Sequence, residues 1–209
     1  MSFFLDNNVL IGYIFETDNW NAKSLDVMCC DSKKISSDTV YRECSEIYDK
    51  KIHKIKNEFQ KVITQLNKSN SLDMKKLYLI IDKFNVKKII IKFLVSSHQT
   101  NNELIKGLRR LLRDMEYRCL KNFQRFEKLV EIHTRNEGYK EIYQIFENDG
   151  LVKTDPIDVE IIIDAHHVGL QERDLSFISG DYEHIVSRKD LIESNTSLKE
   201  IIGLGQFEL

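Results

Sequence analysis

Two short apolar runs narrow the architectures open to this chain. Phe3-Phe4-Leu5 stops at Asp6, and Leu175-Ser-Phe-Ile-Ser179 stops just before Gly180-Asp181. Each has the length and apolar character of a buried strand. A helical pattern (Val9, Leu10, Tyr13, Ile14) follows the first at once, so a strand feeds a helix. Lys34-Ile35-Ser36-Ser37 reads as a further brief strand, and Ser37 or Asp38 can cap the helix after it. Asp155-Pro156 opens another helix as N-cap and first helical residue, with Ile157, Ile161, Ile162, Ala165 and Val168 as its apolar positions and Gly169 at its end. The segment Leu198 to Leu204 adds an edge strand. Strands interleaved with helices imply a parallel sheet covered on both faces.

Between these parts the pattern is helical. Val40, Cys44, Ile47, Ile52, Ile55, Phe59, Val62 and Leu66 follow one another by threes to fives, as an amphipathic helix requires, and Asn67 to Ser71 breaks the run. Helical spacing resumes at Met74 and continues through Leu104, Leu111 and Phe126 to Phe146, where Asn148-Asp149-Gly150 reads as a C-cap. Ile89 to Val95 is ambiguous, its β-branched residues suiting a strand and its setting a helix. A length of 209 residues exceeds one typical domain of about 150. The expectation is one domain over residues 1–209, with a mainly helical insertion at about 50–150. A single proline and eight glycines favour long helices and exclude collagen-like or linker-dominated chains. With 42% hydrophobic and 31% charged residues, a globular core is expected and a disordered chain is not.

The formal charge of −2 is a cancellation. From Lys50 to Lys128 there are 20 basic and 7 acidic residues, a charge of +13, which leaves −15 for the remainder. Lys50, Lys51 and Lys54, and Arg109, Arg110 and Arg113, sit on helical spacings that can follow a phosphate backbone. The ordinary reading of any one such cluster is a solvated helix face. Tyr78 and Tyr117, at their spacings, read as core more readily than as base-stacking platforms. No stretch approaches about 18 uncharged apolar residues, so no membrane span is expected. The N-terminus has no basic region ahead of its apolar run, which argues against a signal peptide. Cys29, Cys30, Cys44 and Cys119 contain no CxxC pair and read as buried free thiols of a cytoplasmic protein.

In open parallel sheets, sites form beyond the carboxyl ends of the strands. Asp6 and Asp181 are delivered there by their strands. Glu43 shares a helix face with Val40 and Ile47, whereas Glu46 is turned about 60° away. Asp158 lies on the face of Ile162 and Ala165 at its helix start, and Asp164 points about 120° from it. Taken singly, each acid reads as a cap, a first-turn acid or a core-edge residue. Taken together, four converging carboxylates repel strongly and call for bound cations. An all-oxygen site suits Mg²⁺ or Mn²⁺ rather than zinc, and such ions promote phosphodiester hydrolysis. His166 and His167 read as packing or surface residues. His184, three residues after Asp181, is a lesser candidate for substrate contact.

The motifs resemble a known family. Asp6-Asn7-Asn8-Val9-Leu10-Ile11 resembles the opening Asp-x-Asn-Val-Leu-Ile of the PIN domain nucleases. Val40-x-x-Glu43 resembles their second acidic motif, Asp158-Val-Glu-Ile-Ile the helix of the third acid, and Phe177-Ile-Ser-Gly-Asp181 the closing strand. The resemblance covers roughly residues 1–50 and 150–209. It implies a three-layer α/β/α sandwich on a short parallel sheet, with Asp6, Glu43, Asp158 and Asp181 as catalytic and Mg²⁺- or Mn²⁺-binding acids. Asn8 and Ser179 would be supporting residues that orient them. It also implies a metal-dependent endoribonuclease acting on single-stranded RNA. An antitoxin or other protein partner and a homo-oligomer are compatible with it; a membrane is not expected.

Three departures stand out: Asn7 in place of the usual Thr, which weakens a hydrogen bond in the site; the long gap from Glu43 to Asp158; and the lengthened turn at Gln171 to Leu175. The competing expectations are a non-catalytic PIN-like scaffold binding RNA or protein, and a structure-specific DNA nuclease. An aspartate-nucleophile phosphatase is disfavoured, because it needs an aspartate where Asn8 stands.

Overall fold

The computed structural model describes residues 1–68, 74–96 and 100–208. It is a mixed α/β protein with a five-stranded, all-parallel sheet. In chain order the elements are β1 (Ser2–Leu5), α1 (Asn7–Ile14), α2 (Asn21–Cys29), β2 (Lys33–Ser37), α3 (Asp38–Lys68), α4 (Met74–Ile81), α5 (Lys87–Val95) and α6 (Asn101–Leu129). They continue with β3 (Glu131–His133), α7 (Lys140–Asp149), α8 (Leu151–Thr154), α9 (Pro156–Gly169), β4 (Leu175–Ser179), α10 (Lys189–Asn195) and β5 (Glu200–Gly203). The architecture is compatible with an α/β/α sandwich.

The strand order is β3-β2-β1-β4-β5. The chain therefore builds outward from β1 on one side, then returns to pair β4 against the other side of β1. Strand order reverses between β1 and β4, and open sheets form their crevices beyond the carboxyl ends of such a pair. Leu5 pairs with Ile178, and the Asp6 N–H continues the ladder by donating to the Ile178 carbonyl at 3.1 Å. Phe4 and Phe177 stack at 5.3 Å in the sheet interior. Every residue of β1 and β4 is buried, the serines Ser2, Ser176 and Ser179 included.

α9 is buried nearly all round, through Val159, Ile161, Ile162, Ile163, Ala165 and Val168. Asp155 caps it, with Oδ1 accepting from the N–H groups of Ile157 and Asp158, and Pro156 occupies its first turn. Gly150, at φ 89°, ends α7 in the left-handed conformation that glycine adopts without penalty. The ambiguous stretch around Ile89 is helical, in α5.

The chain divides into two compact units, one of residues 1–46 and 122–209 and one of residues 47–121. The helical unit is therefore shorter than the insertion expected at about 50–150. The difference lies at β3, which joins the sheet beside β2. Its three residues are exposed or half-buried, so no apolar pattern marks them; Lys33 on β2 pairs with Glu131 at 3.1 Å. The expectation of buried thiols holds for Cys44 and Cys119, whereas Cys29 is exposed and Cys30 half-buried, at the end of α2; none of the four is in a disulfide. Among the described residues, no helix is long and apolar enough to cross a membrane.

Candidate metal centre

Asp6 follows β1 and caps α1. Its Oδ1 accepts from the Asn7 N–H at 2.7 Å, and its Oδ2 accepts from Ser179 Oγ at 2.6 Å and Asn8 Nδ2 at 3.2 Å. Both carboxylate oxygens are thereby fixed on a residue 2% exposed. Burial raises the carboxyl's pKa, and these three hydrogen bonds to the charged form oppose the rise. Ser179 has a second task. Its Oγ accepts from the Asp181 N–H at 2.9 Å, so one hydroxyl ties the aspartates following β1 and β4 into a single arrangement.

Glu43 is on α3 and Asp158 in the first turn of α9. Burial is the main cause lifting their carboxyls, Glu43 to about 7 and Asp158 to about 8. The remaining cause is mutual repulsion. Asp158 feels Asp6, Asp155, Asp181 and Glu43, while Glu43 feels Asp6, Asp155 and Glu46. The Asn7 side chain opposes the rise at Glu43 by hydrogen bonding to it. Asn7 is thus engaged with Glu43. Two unit charges about 4 Å apart cost about 4 kcal/mol at an effective dielectric near 20, so a bound countercharge would relieve the strain on Glu43 and Asp158.

The structure brings Asp6, Glu43, Asp158 and Asp181 together beyond β1 and β4. It adds two residues that the sequence reading valued differently. Asp155, read only as a cap, turns Oδ2 toward His184 Nδ1 at 4.0 Å, and His184 Nδ1 lies 3.4 Å from both Asp158 Oδ2 and Asp181 Oδ2. A cap aspartate three residues before another acid is the only sequence signal for the first, and it does not distinguish a ligand from a cap. Glu43 Oε2, Asp158 Oδ2 and His184 Nδ1 are buried atoms with no hydrogen-bond partner. Buried polar atoms are nearly always paired, so three orphans in one acidic pocket match what a divalent cation would satisfy.

Asp164, His166 and His167 have protein partners. Asp164, 4% exposed, pairs with Arg135 Nε at 3.1 Å, and Arg135 also bridges to Glu160. His166 Nδ1 accepts from the Ser197 N–H at 2.9 Å and His167 Nδ1 meets the Tyr139 hydroxyl at 2.7 Å, which gives both rings structural roles.

Gly180 keeps the link between β4 and Asp181 close-packed. A Cβ there would stand 2.9 Å from Trp20 Nε1 and 3.0 Å from Asn8 Cβ. Gly180→Ala is expected to push Asn8 off Asp6 and destabilise the fold by about 1–3 kcal/mol. Thermal melting checks this, and Trp20, the sole tryptophan, reports the displacement by fluorescence. An unchanged melting temperature and spectrum would refute the crowding.

The expected substrate-binding cations lie in the helical unit, where residues 47–121 hold 18 basic and 7 acidic side chains, a charge of +11. Lys50 and Lys54 line a groove of about 550 Å³ with His53, Lys61 and Lys83. Arg109 and Arg113 line another of about 510 Å³ with Lys106 and Leu112. Half-buried Lys51 and exposed Arg110 lie outside these two linings. Tyr78 and Tyr117, expected in the core, are 37% and 57% exposed, and Lys121 Nζ sits 4.9 Å over the Tyr117 ring. Helical spacing placed them on the edge of the apolar stripe, where the ring extends into solvent.

Compared with family models, curated proteins and solved structures, the chain finds no match.

Proposed function

We propose that this protein is a metal-dependent nuclease of PIN-like type that hydrolyses phosphodiester bonds, with single-stranded RNA as its substrate class. The observation that carries the reading is the convergence of Asp6, Glu43, Asp158 and Asp181 at the β1–β4 switch point, with Glu43 Oε2 and Asp158 Oδ2 left unpartnered. The sequence order of these acids, and the strand or helix beneath each, support the PIN-like assignment.

Asp6, Glu43, Asp158 and Asp181 would hold one or two Mg²⁺ or Mn²⁺ ions. A divalent ion in such a site supplies water activation and offsets the charge gathering on the phosphate. The chain's own contribution is preorganisation. Ser179 and Asn8 lock Asp6 in one rotamer, and the backbone N–H groups of Glu183 and His184 hold Asp181 through Oδ1 at 2.9 and 2.8 Å. Glu43 presents Oε2, a buried atom without a hydrogen-bond partner, as one of the oxygens that would hold the ion. The basic helical unit, with exposed Tyr117, supplies phosphate-binding charge and a stacking ring for single-stranded nucleic acid.

The test is incubation of the purified protein with a mixed single-stranded RNA pool and Mg²⁺ or Mn²⁺, beside single-stranded and flap-structured DNA. RNA cleavage that chelation stops, and that Asp6→Asn or Asp181→Asn abolishes, is the expected result. Cleavage surviving both substitutions would sink the active-site assignment. DNA as the preferred substrate would replace the RNA reading, and binding without cleavage would leave a scaffold.

A further inference from the structure

We propose that His184 Nδ1 is a metal ligand, forming with Asp155 and Asp158 a mixed nitrogen–oxygen site that takes Mn²⁺ in preference to Mg²⁺. The inference shares the acidic pocket of the proposed nuclease but does not require that any phosphodiester be cut.

Local geometry aims the ring. Asp181 Oδ1 accepts the N–H groups of Glu183 and His184, a turn that brings the imidazole back beside the carboxylates. Asp155 Oδ1 is consumed by capping α9, leaving its Oδ2 directed at the same nitrogen. One donor atom each from Asp155, Asp158 and His184 falls within 4.8 Å of the others. Two donors bound to a common ion at about 2.1 Å lie roughly 3.0–3.5 Å apart, depending on the angle between them. The 3.4 Å from Nδ1 to Asp158 Oδ2 fits that range, and the 4.0 Å to Asp155 Oδ2 needs only a small side-chain adjustment.

Two further observations point to a ligand rather than to a fortuitous cluster. Asp158 is 9% exposed, and its Oδ2 has no hydrogen-bond partner although it faces the pocket. His184 Nδ1 is likewise a buried atom without a hydrogen bond, although carboxylate oxygens of Asp158 and Asp181 stand 3.4 Å away and one of Asp155 4.0 Å away. Mg²⁺ is held by oxygen ligands and retains much of its water, whereas imidazole is a ligand of the transition metals. Adding one nitrogen to an acidic pocket therefore shifts its preference from Mg²⁺ toward Mn²⁺.

The experiment is pulsed electron paramagnetic resonance on the full-length protein loaded with Mn²⁺, together with calorimetric titrations of Mn²⁺ and Mg²⁺. A ¹⁴N coupling from a directly bound imidazole is expected, with Mn²⁺ binding tighter than Mg²⁺. In His184→Asn the coupling should vanish and Mn²⁺ affinity should fall about 10- to 100-fold, with Mg²⁺ affinity little changed. Absence of the coupling in the wild-type protein overturns the proposal without need of the variant. So does a coupling that persists in His184→Asn, an equal loss for both ions, or a failure to bind Mn²⁺. Metal-dependent cleavage with no nitrogen coupling would remove the His184 assignment and leave the nuclease; coupling without cleavage would do the reverse.

Discussion

Asp158→Asn is expected to abolish metal-dependent cleavage, by at least about 100-fold, while making the metal-free protein more stable at alkaline pH. The two effects have one origin. Asp158 is lifted to about 8 because burial, and then the charges of Asp6, Asp155, Asp181 and Glu43, oppose its ionisation. Below that value the carboxyl is protonated, and an asparagine amide closely mimics it, so the melting temperatures of the two proteins should nearly coincide at pH 6. At pH 9 the wild-type protein carries a buried charge that the variant lacks. A gain of a few degrees is expected, since each kcal/mol corresponds to about 2–4 °C in a chain of this size. Saturating Mn²⁺, at about 100 times its dissociation constant, should stabilise the wild type by about 2.7 kcal/mol and the variant far less. Melting curves at the two pH values, with and without Mn²⁺, check all four terms. A variant less stable than wild type at pH 9 would show that Asp158 is structural.

The metal-free protein is expected to lose stability as pH rises from about 4 to about 8. Glu43 moves from an ordinary 4.5 to about 7, and Asp158 from 3.8 to about 8. Across that window the folded state retains protons that the unfolded chain has released, so stability falls with increasing pH until both groups have ionised. Most surface carboxylates give the opposite slope, because pairing depresses them. Cation binding requires the ionised forms, so binding near pH 6 should expel up to two protons, and affinity should climb toward pH 8. Calorimetry in buffers of different ionisation enthalpy counts those protons. Binding that releases none at pH 6 would mean that Glu43 and Asp158 are already ionised or are not ligands.

The fold was legible where side-chain burial is continuous. β1 and β4 are buried along their whole length, and α9 announces itself by Asp155-Pro156 at one end and Gly169 at the other. β3 was not legible. Edge strands of three half-exposed residues carry no periodicity, and Glu131-Ile-His is placed by pairing with β2 alone. The same divide runs through the site. Strand ends and helix faces located Asp6, Glu43, Asp158 and Asp181 near one another, because backbone geometry dictates where such side chains emerge. The roles of Asp155, Asn7 and His184 depend on which atom of each side chain the fold leaves over. Asp155 spends one oxygen on a helix cap and turns the other to His184; Asn7 reaches Glu43; His184 is returned to the acids by a turn that Asp181 organises. None of these choices alters residue type or spacing.

The hydroxyl of Ser179 that holds Asp6 reaches across 173 positions of sequence. During synthesis, β1 waits unpaired on one side until β4 has been made, and contacts of such separation form late and slowly. The acid cluster therefore cannot assemble before β4 and the turn that carries Asp181 have been made. A growing chain holds Asp6 and Glu43 for most of its synthesis without the partners that would let them bind an ion. On the reading proposed above, the fold order is itself a safety catch: no polypeptide still short of β4 has a blade.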